Sequence, residues 1–328
     1  MKREKVNVLY LHLVLILLSS PILKVFSQPC LVYDSSTEDY VKIGISNCDI
    51  KPIRVLHITD AHITFAGPED EVYAEYSSRM SAAYEKGSYY KTGAPITRTE
   101  AFTSILNESK KLKVDLIMLT GDIINYPSKH AVEFVLSELN SCGIPFLYTA
   151  GNHDWHLEGL PGSSHDLREE WREKVLKPLY QGESSSHSSY IINGINFLMI
   201  DNSTYQMTPD QLDFIREQKA LGLPLVIGSH IPIDVADQHG TIGSHKWGAA
   251  TDNSFEIERR ERWPVEGHNQ ETYDFVNELI DSNISIFLCG HIHTSKTERY
   301  GGLLQYITPM ARFGHYRIIE IVPVNETN

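Results

Sequence analysis

The chain has 328 residues, 41% hydrophobic and 22% charged, with ordinary Gly and Pro content. This composition excludes a fibrous, collagen-like or wholly disordered protein, and it supplies enough apolar material for a core in one large domain or two small ones. A formal net charge of −13 repels nucleic acid and anionic membrane surfaces, and the sequence has no basic patch to offset it. No nucleic-acid binding is therefore expected, and anionic substrates would have to be drawn in by cations held at a site.

The chain opens with Lys2, Arg3 and Lys5, then an apolar run from Val6 to Leu18, then Ser19, Ser20 and Pro21. That is the order of a secretory signal peptide, with cleavage expected after Ser27. The run is shorter than the roughly 20 residues that cross a bilayer, and no later stretch approaches that length, so no stable membrane span is expected. An uncleaved anchor is the alternative reading of residues 1–27. Cleavage would remove four bases and one acid, which takes the net charge from −13 to about −16. Four Asn-x-Ser/Thr sequons, at Asn107, Asn202, Asn283 and Asn325, are candidate glycosylation sites and agree with the leader. The expected location is secreted, extracellular or within an endomembrane lumen such as a lysosome or vacuole. In that oxidising compartment Cys30 and Cys48, in an N-terminal arm over 28–53, form a candidate disulfide. Cys142 and Cys289 sit beside apolar strands and are expected to be buried thiols.

From residue 54 to 322 the pattern is that of one catalytic domain, followed by a tail at 323–328. Short apolar, β-branched runs predict strands at 54–59, 116–120, 145–149, 224–227 and 284–288, each ending in a polar turn. Helical patterns lie between them at 98–113, 129–141, 166–178, 208–220 and 269–282. The fourth opens with Thr208 as cap, Pro209 in the first turn and Gln211 three residues on. Hairpins are predicted at 188–193 with 195–200 and at 296–300 with 303–308. The alternation specifies an α/β fold. Two insertions, at about 63–97 with Tyr73, Tyr76, Tyr84, Tyr89 and Tyr90, and at about 235–268 with Trp247 and Trp263, break the rhythm. Their length and aromatic content mark them as walls or lids of a substrate cleft.

In open α/β sheets ligands bind beyond the carboxyl ends of the strands, where the five polar turns place their side chains. The inventory there is Asp60 and His62, Asp122, Asn152 with His153 and Asp154, His230, and His291 with His293. A lone histidine at a strand end is usually structural, but two x, x+2 pairs with Gly-Asp and Gly-Asn-His-Asp between them form a set. Carboxylates, imidazoles and an amide without thiolate suit Zn, Mn or Fe ions.

The blocks Asp60-Ala61-His62, Gly121-Asp122, Gly151-Asn152-His153-Asp154, Gly228-Ser229-His230 and Gly290-His291-Ile292-His293 resemble those of the calcineurin-like metallophosphoesterases, over roughly residues 54–322. The resemblance implies a four-layer α/β/β/α sandwich of two mixed sheets flanked by helices. It also implies a dinuclear metal site: Asp60, His62 and His293 on one ion, Asn152, His230 and His291 on the other, and Asp122 bridging both. His153 would face the substrate, to stabilise the phosphoryl group or protonate the leaving oxygen, with Asp154 orienting it. One departure is that purple acid phosphatases carry a Tyr three residues after the bridging Asp, where this chain has Asn125. Tyr126 is one position off, so a tyrosinate-iron pairing is not expected.

The expected activity is hydrolysis of phosphodiesters, or phosphomonoesters, by metal-activated water, on a nucleotide or a lipid headgroup of the sphingomyelin type. The alternative is an inactive metal-binding or binding protein of the same fold.

Overall fold

The structure of the protein, a computed structural model, describes residues 28–83, 87–234, 241–243 and 268–324. Strands β1 (Cys30–Ser36) and β2 (Tyr40–Ser46) form a hairpin, and β3 (Ile53–Ile58) leads through a 3-10 turn (Pro68–Tyr73) into α1 (Ala74–Ala83). Then come α2 (Arg98–Lys111), β4 (Leu116–Thr120), α3 (Lys129–Cys142), β5 (Phe146–Thr149) and the short α4 (Asn152–Trp155). Helix α5 (Ser164–Trp171) runs on through a π turn (Arg172–Leu176) and a 3-10 turn (Lys177–Tyr180). The hairpin β6 (His187–Ile192) and β7 (Ile195–Ile200) follows, then α6 (Pro209–Ala220), β8 (Leu225–Gly228) and α7 (Gln270–Ile280). The chain closes with β9 (Ser285–Cys289), β10 (Lys296–Tyr300), β11 (Leu303–Ile307) and β12 (Arg317–Pro323).

The strands make two mixed sheets, ordered β1-β2-β12-β3-β4-β5 and β10-β11-β9-β8-β7-β6. In the first, β3, β4 and β5 are parallel; in the second, β7, β8, β9 and β11 are parallel with antiparallel β6 and β10 at the edges. Alternate residues of each central strand face opposite ways. Val55, Leu116, Met118, Ile286 and Leu288 join one buried cluster with Phe197, Met199 and Val226, which fills the space between the sheets. Leu56, Ile117, Leu119 and Phe287 join a second cluster with Phe102, Val135, Ile215 and Phe275 of the helices. The strands read as continuous apolar runs because both faces are buried, as helix-covered parallel strands require. This is the four-layer sandwich expected from the sequence.

Helix starts follow the sequence signals. The Thr97 hydroxyl accepts from the Glu100 amide at 3.2 Å while Glu100 accepts from the Thr97 amide at 2.9 Å, a reciprocal cap. Thr208 and Gln211 make the same box before α6. Replacing either Thr with Ala removes a partner worth about 1 kcal/mol.

Three expectations are corrected. Residues 28–53 are not an arm: Val41, Ile43 and Ile45 of β2 are buried, and β2 pairs in parallel with β12 and antiparallel with β1, so both strands belong to the first sheet. Cys30 and Cys48 are free thiols, because the β1–β2 register sets Cys30 opposite Ser46, two residues short of Cys48. The predicted helix over 166–178 is broken into α, π and 3-10 pieces, and Pro178 removes the amide that would continue it. Of the insertions, 63–97 holds α1 and a segment whose Tyr90 stacks on His315 at 3.9 Å. Most of 235–268, including Trp247 and Trp263, lies outside the described residues, as do Tyr84, residues 1–27 and Asn325.

Candidate metal centre

The five polar turns converge at the carboxyl ends of β3, β4, β5, β8 and β9. Five of their side chains sit on backbone in the left-handed region: Asp60 (φ 55°), His62 (48°), Asp122 (51°), His291 (66°) and His293 (57°). That region is uncommon for residues with a Cβ, and it is held here by hydrogen bonds between turns. The Asp60 amide donates to the Gly121 carbonyl at 3.1 Å, and His62 to the Asp122 carbonyl at 2.9 Å. The glycines of the blocks allow close approach. A Cβ on Gly151 would lie 2.2 Å from Asp122 Oδ1, and one on Gly290 would lie 2.1 Å from Asp60 Oδ2.

Three overlapping groups of donor atoms each fall within 4.8 Å of one another: Asp60, His62 and His293; His62, Asp122 and His153; Asp122, His230 and His291. Asp122 and His62 thus link the flanking groups, and all of these side chains except His153, His291 and His293 are buried. Asn152 is buried at the first position of α4, and the next amide, His153 N–H, donates to Asp122 Oδ1 at 2.8 Å.

The donors are aimed by their neighbours. Thr59 Oγ1 (2.7 Å) and the His291 amide (3.0 Å) donate to Asp60 Oδ2, which leaves Oδ1 3.1 Å from His293 Nε2. His230 Nδ1 donates to the Thr120 carbonyl at 2.9 Å, so Nε2 faces Asp122 Oδ2 at 3.2 Å. His291 meets Tyr205 Oη with Nε2 at 2.5 Å, and its Nδ1 lies 3.2 Å from His230 Nε2. Such outer contacts fix the ring face that a ligating histidine presents.

Protonation follows the same geometry. Burial would raise the Asp122 carboxyl, but the charges of His230, His153 and His62 hold it well below the ordinary carboxylate range. Burial alone would depress His230, yet the Asp122 carboxylate outweighs it and pushes the ring up to about 10. His291 is pushed down to about 3 by burial and the neighbouring His230. Two carboxylates, each facing a histidine nitrogen (Asp122 with His230 at 3.2 Å, Asp60 with His293 at 3.1 Å), form a donor set in which a cation can replace the protons held between them. The residues therefore fit a metal.

All seven expected ligand positions reach this region, and His153 joins them, 4.7 Å from the His62 ring centroid. Its orientation differs from expectation. His153 Nδ1 donates to the Asn125 carbonyl at 3.1 Å, which turns Nε2 toward the centre. Asp154 instead accepts from the amides of Gly151 (2.7 Å), Asp122 (2.9 Å) and Ile124 (2.9 Å). It ties the second block to the third, and burial with the Asp122 charge pushes its carboxyl up to about 7.

Sequence reasoning missed the loop from Asp201 to Tyr205. Asn202 Oδ1 accepts from the amides of His230 (3.1 Å) and Ile231 (2.9 Å), and its Nδ2 donates to the Ile231 carbonyl at 2.7 Å. The Trp155 indole donates to Ser203 Oγ at 2.8 Å. Asp201 anchors the loop through Arg172 at 3.3 Å. Asn202, a glycosylation candidate by its sequon, is fully buried with its amide in use, so it is not an acceptor in the folded protein. Asn107 and Asn283 are exposed.

A two-sheet sandwich whose strand-end turns gather these carboxylates and imidazoles defines a metal-dependent phosphoric ester hydrolase. The calcineurin-like phosphoesterase family model matches residues 53–295, and the chain belongs to that family. It is 24% identical over 270 residues to a protein of Psychrobacter arcticus named "probable cyclic nucleotide phosphodiesterase", covering 78% of this chain and 79% of that one. A similarly named protein of another Psychrobacter strain is 24% identical over 300 residues, covering 84% and 80%. Among solved structures, a dimetal phosphatase from Danio rerio superposes with a TM-score of 0.51 at 12% identity, covering 81% of this chain and 91% of that one.

Proposed function

We propose that the chain is a dinuclear-metal phosphodiesterase acting on a small nucleotide-like diester. The observation that carries this reading is the pair of donor groups, Asp60/His62/His293 and Asp122/His230/His291, joined within one cluster by His62 and Asp122. Asp60, His62 and His293 would hold one ion; Asn152, His230 and His291 would hold the other; and Asp122 would bridge them. A carboxylate suits the bridge because its charge offsets the repulsion of two cations. Zn, Mn or Fe fits the donors.

Bound ions of this kind would supply Lewis acidity and an activated water. The chain's own residues do the rest. His153, with Nδ1 held by the Asn125 carbonyl, would present Nε2 to the leaving oxygen and, as the imidazolium, give it that nitrogen's proton, becoming the neutral ring. A diester needs that proton because its leaving alkoxide is a poor leaving group. Asp154, by fixing the Asp122 and Gly151 amides, keeps the bridge in place. The names of the 24% identical relatives support the diester preference.

We also place the protein in the secretory pathway. The leader-like residues 1–27 and the exposed sequons at Asn107 and Asn283 support this. The test is metal analysis of purified protein together with hydrolysis of bis-p-nitrophenyl phosphate, p-nitrophenyl phosphate and cyclic AMP. Two ions per chain and faster diester cleavage are expected. Absence of both metal and diester cleavage would overturn the reading.

A further inference from the structure

The insertion after the first block builds a cavity of about 650 Å3, within the size range of small-molecule sites. Thr64, Ser77, Ser81, Thr97, Arg98 and Tyr126 line it. Among the described residues no carboxylate does, although the chain as a whole carries a net charge of −13.

The cavity and the metal centre share a wall. The Arg98 guanidinium donates to the His62 carbonyl at 3.4 Å and to the Thr64 hydroxyl, and through its other terminal nitrogen to the Ser81 carbonyl at 3.0 Å. Ile63 pairs with Ile124, so the metal-binding turns after β3 and β4 run side by side and deliver Thr64 and Tyr126 together to the cavity. Two residues of extended chain separate His62 from Thr64, roughly 7 Å. That is about the reach from a phosphoryl group into the sugar it esterifies.

We propose that this cavity is the subsite for a polyhydroxylated arm of the diester, such as the ribose of a nucleotide or the glycerol of a headgroup. Hydroxyl side chains both donate and accept, so Ser77 and Ser81 match an arm that does the same, while Thr64 and Thr97, which donate to the His62 carbonyl at 3.2 Å and the Glu100 carboxylate at 2.7 Å, offer it their remaining lone pairs. The Arg98 charge keeps the pocket hospitable beside the phosphate. This assignment rests on the phosphodiesterase reading and names which part of the substrate the insertion recognises.

Filling the cavity tests it. Ser77→Phe, from a buried position of α1, and Ser78→Phe, from an exposed lining position that folding tolerates, are compared with wild type on cyclic AMP, glycerophosphocholine and bis-p-nitrophenyl phosphate. The expected result is a rise of about 10-fold in KM for the substrates with hydroxylated arms, and little change for the nitrophenyl diester. Loss on only one of the first two identifies the arm as ribose or glycerol. Equal loss on all three substrates, or none on any, overturns the subsite. Calorimetric binding of adenosine 5′-monophosphate and of glycerol 3-phosphate reads the cavity without turnover. Binding of either that weakens in the variants supports the subsite even if the wild type cleaves no diester, whereas binding of neither, or binding left intact in the variants, overturns it.

Discussion

Tyr205 Oη stands 2.5 Å from His291 Nε2, and the opposite ring nitrogen of His291 thereby faces His230 at 3.2 Å. The Tyr205 hydroxyl is buried on backbone at φ 61° and selects the histidine face offered to the centre. Tyr205→Phe should weaken one of the two metal ions by about 10- to 100-fold and leave the other in place. Metal titration followed by elemental analysis checks this; retention of both ions at wild-type affinity would remove Tyr205 from the role.

Asp122→Asn should lose metal and activity together. The neutral amide leaves the repulsion between two cations uncompensated and removes the partner that keeps His230 charged. Elemental analysis and diester turnover on the same preparation decide the matter. Full turnover with both ions bound would contradict the bridge.

Asn202 should be unmodified when the chain is made in a secretory host, while peptide mapping finds any sugar at Asn107, Asn283 or Asn325. Asn202→Ala strips partners from the buried amides of His230 and Ile231, at a cost of about 2–4 kcal/mol in chemical denaturation. A sugar on Asn202 in folded protein would show that the loop is not seated as described.

His57 sits between Thr308 (2.8 Å) and Thr120 (2.7 Å), fully buried. Burial, then the Arg317 charge, pushes its ring down to about 3. The unfolded chain, with a value near 6.5, binds the proton first as pH falls. Stability from the neutral ring is therefore complete above about pH 6.5 and lost progressively toward pH 3, at up to about 1.4 kcal/mol per pH unit. Denaturation midpoints of wild type and His57→Asn, compared at pH 7 and pH 4.5, should converge at the lower pH. A constant gap would refute the assignment.

The turns of the candidate metal centre were legible because each couples an apolar strand to a polar residue at its end, and both halves of that signal are local. The sandwich was legible for the same reason: strands such as Leu116–Thr120 are apolar on both faces. What escaped was non-local. β2 alternates only weakly by sequence and gains its place by pairing with β12, nearly the whole chain away. Asn202 and Tyr205 carry no spacing that marks them, since their contacts to His230 and His291 exist only after β7, β8 and β9 align. A Tyr two residues after an Asn beside a strand end is a signal only once that loop is known to face a histidine.

The position of β12 between β2 and β3 bears on how the chain is made. β2 is translated long before β12, the strand that pairs with it in parallel. Until then the apolar side chains of Val41, Ile43 and Ile45 lack their final cover, and β3 exposes an open edge. The first sheet is thus completed late: translation halted before Arg317 would leave every candidate metal ligand made and the sheet that positions Asp60 unfinished.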